Sequence, residues 1–289
     1  MFRFAFSLLA ATVLASCSST PLAPDSVVSD LAPTGKLRAA INFGNPILAA
    51  RDASTGEARG VSVDLSRELA RRLGVPLELV TFEAAGKVVE ALKSGAWDVA
   101  YVAIDPVRAN EIAFSPAYVV IEGAYLVRQN SPIRSNAEVD REGVRVAAAT
   151  GSAYDLYLSR ALKQAKIVRA PTSQAVTDLF VAQGLEVAAG VKQQLEADAR
   201  RIPGLRLLEG RFMVINQAMA TSKGRNVGGR NAGELEVGGR KVGGSDVGER
   251  EAGVRYLREF VEEMKASGFV ARALVRNRIE GAAVAPPAK

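Results

Sequence analysis

The sequence predicts an α/β protein of two lobes, each a mostly parallel sheet flanked by helices. Three observations carry that prediction. Strand-like and helix-like segments alternate along the chain, which implies parallel strands with helices on the sheet faces. The alternation runs twice, as two similar units in succession. A chain of 289 residues that is 48% hydrophobic is also long enough for one large core or two smaller ones.

In the first round LRAAINF (37–43) reads as a buried strand. VSVDLSRELARRLG (61–74) has apolar residues at helical spacing, with Asp64 as a candidate cap and Gly74 at the stop. PLELVTF (76–82) is a strand, AAGKVVEALKSG (84–95) a helix ending in glycine, and WDVAYVAI (97–104) a strand. In the second round the strands are GVRVAAA (143–149), KIVRAP (166–171) and LEVAAG (185–190). The helices between and after them are SAYDLYLSRALKQA (152–165), SQAVTDLFVAQG (173–184) and VKQQLEADARRIPG (191–204), the last ending before Pro203. RFMVINQAMAT (211–221) leads out of this unit as a strand, and YLREFVEEMKASG (256–268) and FVARALVRNR (269–278) close the chain as helices.

Two segments stand outside this pattern. At the N-terminus Arg3 precedes an apolar run from Phe4 to Ala15, too short for a comfortable membrane span and of signal-peptide proportions. Leu14-Ala15-Ser16-Cys17 resembles the lipobox of bacterial lipoproteins, in which the cysteine becomes the lipidated N-terminus. Residues 1–16 are then a signal peptide, and 17–33, rich in Ser and Pro, a flexible tether. The alternative is an ordinary cleaved signal with an incidental cysteine; both readings export the protein. The second segment, NVGGRNAGELEVGGRKVGGSDVGER (226–250), has a five-residue period that suits neither a helix nor a strand. Its charges cancel and it holds no phosphate-loop motif, so it reads as an expanded low-complexity loop.

Composition narrows the chemistry. There is no histidine, which excludes Ser-His-Asp and Cys-His catalysis and histidine zinc sites. The single Cys17 excludes an internal disulfide. The net charge of +6 is spread among interspersed residues without a basic run or nucleic-acid motif, so it reads as ordinary solvated surface.

The stretch AIDPVRANEIAFSPAY (103–118) is the most suggestive. Asp105 suits an N-cap and Pro106 the first helical position, which puts Arg108 in a first helical turn. A cation there opposes the helix dipole and makes sense if an anion is bound by backbone N–H groups and the guanidinium together. The alternative is an arginine bridged to a nearby carboxylate such as Glu111.

Taken in order, GVSVDLSRELARRLG after a strand, ALKSGAWDVAYVAIDPVRANEIAFSPAY, GVRVAAATGSAY and the closing SGFVARAL resemble the amino-acid-type (family 3) periplasmic solute-binding proteins of ABC importers. The resemblance covers residues 36–224 and 252–280 and lies in the order and spacing of the motifs. It implies the type II periplasmic-binding-protein fold, two α/β lobes joined by two crossing hinge strands, here near 123–128 and 215–221. Lobe 1 is then 34–124 with 217–289, carrying the insert, and lobe 2 is 125–216.

The resemblance also implies a site. Arg108 binds a ligand carboxylate. Tyr101 and Ala103 stand where the family's hydrogen-bonding residues precede it, although Ala103 has no side-chain donor. Gly151, Ser152 and Ala153 form the turn whose N–H groups complete the anion site from lobe 2. Asn42 and Asn45 are polar contacts from lobe 1, and Glu83 is a weaker candidate. Where amino-acid binders usually hold the α-ammonium with an aspartate, this chain has Lys192. Either Lys192 is a second anionic contact, for a ligand without a free α-amino group, or the alignment slips by one residue and it lies in solvent. The expected protein is a periplasmic, lipid-anchored monomer that passes a small anionic or amino-acid-like solute to an ABC permease in the inner membrane. No cofactor, metal or nucleic acid is implied. The rival readings are a cyclohexadienyl-dehydratase-like enzyme, with Glu83 or Lys192 as general acid, and a sensory protein without transport.

Overall fold

The computed structural model describes residues 22–224 and 251–288, with four two-residue strand pieces between them. In chain order the elements are α1 (Asp25–Leu31), β1 (Leu37–Asn42), β2 (Ala50–Arg51), β3 (Ala58–Arg59), α2 (Val61–Leu73), β4 (Leu77–Phe82), α3 (Ala85–Glu90), β5 (Val99–Ala103) and β6 (Ile112–Arg128). There follow β7 (Arg145–Ala149), α4 (Ala153–Ala161), β8 (Lys166–Ala170), α5 (Ala175–Ala182), β9 (Val187–Val191), α6 (Lys192–Arg201), β10 (Leu205–Leu207) and β11 (Met213–Ser222). The insert pieces are β12 (Asn226–Val227), β13 (Arg230–Asn231), β14 (Glu236–Val237) and β15 (Arg240–Lys241), and the chain closes with α7 (Glu251–Ala266), α8 (Phe269–Arg276) and β16 (Ala283–Val284). Among the described residues no helix is long and apolar enough to cross a membrane.

One sheet runs through the molecule in the order β4-β1-β5-β11-β6-β9-β7-β8, with β10 and β16 also pairing to β6. At one end β1 lies parallel to β4 and β5; at the other β7 lies parallel to β8 and β9. The strands β5 and β9 are buried at every position, as expected of parallel strands covered on both faces.

The two halves share β6 and β11. At roughly 3.4 Å per residue the 17 residues of β6 reach about 58 Å. Its first part pairs antiparallel with β11 up to Gly123, and from Gly123 onward it pairs with β9 and then β10. Gly123 is therefore the point of transfer, and it cannot carry a side chain: a Cβ there would lie 2.7 Å from Met213 Cγ and 3.0 Å from the Phe212 ring.

Four expectations are corrected. The helix expected after Asp105 is a single 3-10 turn, Arg108–Asn110, because the apolar run from Ile112 is captured at once by pairing with β11. Helix α2 starts at Val61 behind Gly60, whose φ of 127° and contact with the Leu48 carbonyl admit no side chain; Asp64 lies in the first turn and pairs with Arg276 instead of capping. The stop at Gly74 is as expected, with φ 67°.

The third correction concerns the tether. Residues 25–31 form α1, with Val27 and Leu31, one helical turn apart, buried against α7. The Gly253 N–H of α7 donates to Asp30 Oδ2 at 3.0 Å, and a Cβ at Gly253 would lie 2.9 Å from the Asp30 and Leu31 side chains. Fourth, the insert forms two small antiparallel ladders, β12 with β13 and β14 with β15, where no strand was expected. Cys17, the expected signal peptide and the remainder of the insert lie outside the described residues.

The packing of α1 is measurable. Leu31 is fully buried. Leu31→Ala is expected to cost about 2–5 kcal/mol of unfolding free energy in a urea titration. A loss under about 0.5 kcal/mol would show that α1 is not docked.

Candidate functional site

The site is built on the turn after β5. Asp105 shapes it: the Val107 N–H donates to Asp105 Oδ1 at 2.8 Å, and the Ala109 N–H to the Asp105 carbonyl at 2.9 Å. The turn folds Arg108 back under the sheet, where it is 3% exposed. Its Nη1 donates to the Ala103 carbonyl and its Nη2 to the Gly151 carbonyl, both at 2.9 Å. The first acceptor belongs to one half of the sheet and the second to the other. Arg108 Nε is buried without a partner. Burial pushes the guanidinium down to about 10, against the pull of nearby Asp105. It stays charged at neutral pH. Glu111, the expected alternative partner, is exposed, and among the described residues no carboxylate pairs with Arg108.

Arg108 lines a cavity of about 40 Å³ at the junction of the halves. Asn42, Asn45, Ser62, Tyr101 and Ala103 face it from one side, Ser152, Ala153, Tyr154, Ser173 and Val191 from the other, and Ile215 and Gln217 from the crossing strand β11. Seven of the sequence-derived residues thus meet in one place: Asn42, Asn45, Tyr101, Ala103, Arg108, Ser152 and Ala153. Gly151 sits beside them. It lines a larger outer cavity of about 530 Å³ together with Arg108, Gly86, Val107 and Thr150.

Several roles differ from expectation. Tyr101 Oη is hydrogen-bonded to Ser66 Oγ at 2.9 Å, behind the cavity, and burial holds the hydroxyl well above the ordinary tyrosine range. Ala103 acts through its carbonyl, which steadies the guanidinium. The Gly151 N–H, expected to face an anion, donates to Asp155 Oδ2 at 2.8 Å, and the Ser152 N–H donates to the Ala149 carbonyl. Ser152 Oγ caps α4 by accepting from the Asp155 N–H at 3.0 Å.

Lys192 and Glu83 do not line the cavity. Lys192 opens α6, but its Nζ lies 3.1 Å from Glu122 Oε2, and Arg211 Nη1 holds the other Glu122 oxygen at 2.6 Å. The cation expected to want a ligand anion already has one, supplied by β6 from 70 residues away in sequence. Glu83 is mostly exposed and faces Arg51 at 3.7 Å. Sequence reasoning missed Ser62, Tyr154, Ser173, Ile215 and Gln217. Gln217 carried a usable signal: strand alternation puts it on the face opposite Asn216, with Ile215 and Met219, and buried amides need a reason.

The two halves meet around the cavity. Arg160 Nη2 bridges to Asp105 Oδ2 at 2.7 Å, and Gln174 Nε2 donates to the Phe43 carbonyl at 3.0 Å. Gly86 and Gly151 touch: a Cβ on Gly86 would lie 3.0 Å from the Thr150 carbonyl oxygen, and one on Gly151 would lie 2.9 Å from Gly86 Cα.

Two α/β units on shared crossing strands, closed over a buried cation, define a two-lobed binding protein with the type II periplasmic-binding-protein fold. The chain belongs to the bacterial extracellular solute-binding proteins, family 3, whose model matches residues 37–276. No curated protein matches it. Among solved structures it is similar to the solute receptor for L-cysteine of Neisseria gonorrhoeae, with a TM-score of 0.68, 18% identity, and coverage of 88% of this chain and 94% of that one. It is similar to a mutant of ArgBP from T. maritima, with a TM-score of 0.67, 20% identity, and coverage of 88% and 100%. It is also similar to the ancestral amino-acid-binding protein AncCDT-1, a precursor of cyclohexadienyl dehydratase, with a TM-score of 0.65, 18% identity, and coverage of 86% and 97%.

The glycine contact sets how far the lobes close. Gly86→Val is expected to hold them apart, giving a larger radius of gyration by small-angle X-ray scattering than the parent under the same conditions. An unchanged scattering profile would show that closure does not depend on this contact.

Proposed function

We propose that this chain is the extracytoplasmic solute-binding component of an ABC importer, closing on a small carboxylate-bearing solute. Lobe 1 is residues 34–124 with 217–289, and lobe 2 is 125–216. The observation that carries the reading is Arg108: a guanidinium 3% exposed, lining the interlobe cavity, with Nε unpartnered and no carboxylate among the described residues paired to it. A buried cation in low dielectric is costly unless an anion meets it, and its charge-assisted hydrogen bonds to that anion are strong. A solute that touches both lobes only when they are shut favours the shut state by its differential affinity.

The similar proteins are described as binding or receiving amino acids, which supports a small carboxylate as cargo. The N-terminal pattern, with Arg3, the apolar run to Ala15 and Cys17, supports export to the periplasm and a lipid anchor on the membrane beside the permease. The chain acts as a monomer. Binding needs no covalent chemistry. The two acids considered for a dehydratase, Glu83 and Lys192, lie off the cavity in ion pairs, which favours capture over catalysis.

The test separates binding from folding. Arg108→Met is expected to weaken carboxylate binding by at least about 100-fold, roughly 2.7 kcal/mol, in calorimetric titration. Its ligand-free stability should stay level or rise, because an unpaired buried charge has gone. Undiminished affinity would rule out the proposed site. For the parent protein, a micromolar carboxylate at millimolar concentration should add about 4 kcal/mol of stability in a thermal shift.

A further inference from the structure

We infer that the solute is a small carboxylate without an ammonium group, carrying an uncharged hydroxyl or amide donor in its place. This rests on the reading that the cleft captures a carboxylate and narrows it to one class.

The charge lining the cavity has one sign. Among the described lining residues Arg108 alone is charged, and the others are amides, hydroxyls, backbone and apolar side chains. Three acids near the cavity, Asp105, Asp155 and Glu122, are committed elsewhere, and Glu111 is exposed on the outer cavity. Asp105 accepts from the Val107 N–H and pairs with Arg160 at 2.7 Å. Asp155 accepts from the Gly151 N–H and pairs with Arg169 at 3.0 Å. Glu122 is held by Lys192 and Arg211. An ammonium group entering this cavity would lose its water, meet no carboxylate and stand close to a guanidinium. The loss is uncompensated on every count.

The spare hydrogen-bonding capacity has a definite composition. Most lining hydroxyls are already engaged: Tyr101 with Ser66, Ser62 with Tyr118 at 3.2 Å, Tyr154 with Ser173 at 2.9 Å, and Ser152 with the Asp155 N–H. Two buried atoms are not engaged, Arg108 Nε and Asn45 Oδ1. The first is a cationic donor and suits a carboxylate oxygen. The second is a single neutral acceptor and suits one O–H or N–H. An ammonium brings a full charge, and the neutral amide oxygens of Asn42, Asn45 and Gln217 do not neutralise it beside a guanidinium. A 2-hydroxy acid offers a carboxylate oxygen to the first and one O–H to the second. The 40 Å³ volume favours an acid of few heavy atoms.

The experiment is calorimetric titration of the full mature chain, unfolded and refolded to strip it of solute, with two matched pairs: L-lactate against L-alanine, and glycerate against L-serine. Propionate serves as the acid lacking both groups. The expected result is that each hydroxy acid binds at least about tenfold more tightly than its amino acid partner and more tightly than propionate. Asn45→Leu should then remove the advantage of lactate over propionate. If the amino acids bind as tightly as the hydroxy acids, or more so, the inference is overturned while the carboxylate cleft stands. If no acid binds, both the inference and the cleft reading are overturned.

Discussion

The arrangement depends on one buried cation. Arg108 spans the seam between the two halves of the sheet, with one arm on the Ala103 carbonyl and the other on the Gly151 carbonyl. Two neutral carbonyls orient a guanidinium without neutralising it. The charge is thus fixed in direction without a counter-ion among the described residues, its Nε has no partner, and the proposed function places a solute anion there. The rest of the site keeps that charge buried, aimed and, among the described residues, unpaired with an acid. Asp105 lies close by but is turned to Arg160 and the Val107 N–H, so it shapes the turn without occupying the site.

The fold makes such a seam possible because β6 and β11 belong to both halves. A long strand that changes partners at Gly123 ties the halves together while leaving each with its own parallel strands and helices. Among the described residues the contacts between the halves are mostly polar: Arg108 with the Gly151 carbonyl, Arg160 with Asp105, Gln174 with the Phe43 carbonyl, Gln193 with the Gly281 carbonyl, and the bare backbones of Gly86 and Gly151. Polar contacts of this sort are worth little net of the water they displace. That is the right scale for a cleft that must open for its solute. A large apolar interface would hold it closed regardless of cargo.

Much of this was legible in the sequence, because the alternation of apolar runs reports burial on both faces of a parallel sheet. The runs LEVAAG and WDVAYVAI announce β9 and β5, and the order of motifs brought Asn42, Asn45, Tyr101, Arg108 and Ser152 together. The failures are of two kinds. The sequence leaves Lys192 open between the pocket and its surroundings because its partner Glu122 is 70 residues distant, and a sequence does not show which side chains a sheet register brings opposite each other. Helix α1 was read as tether because Ser and Pro drew attention from Val27 and Leu31, one turn apart; only the face of α7 reveals what they pack on. The absence of an acid in the cavity was hinted at by the lysine, although the lysine itself is not the reason.

The most direct test of the central claim is native mass spectrometry of residues 18–289 as purified, beside Arg108→Met prepared identically. The account predicts that the parent carries the added mass of a small organic acid, released on denaturation and absent from the variant. A bound molecule without a carboxylate, or one retained equally by the variant, would contradict it.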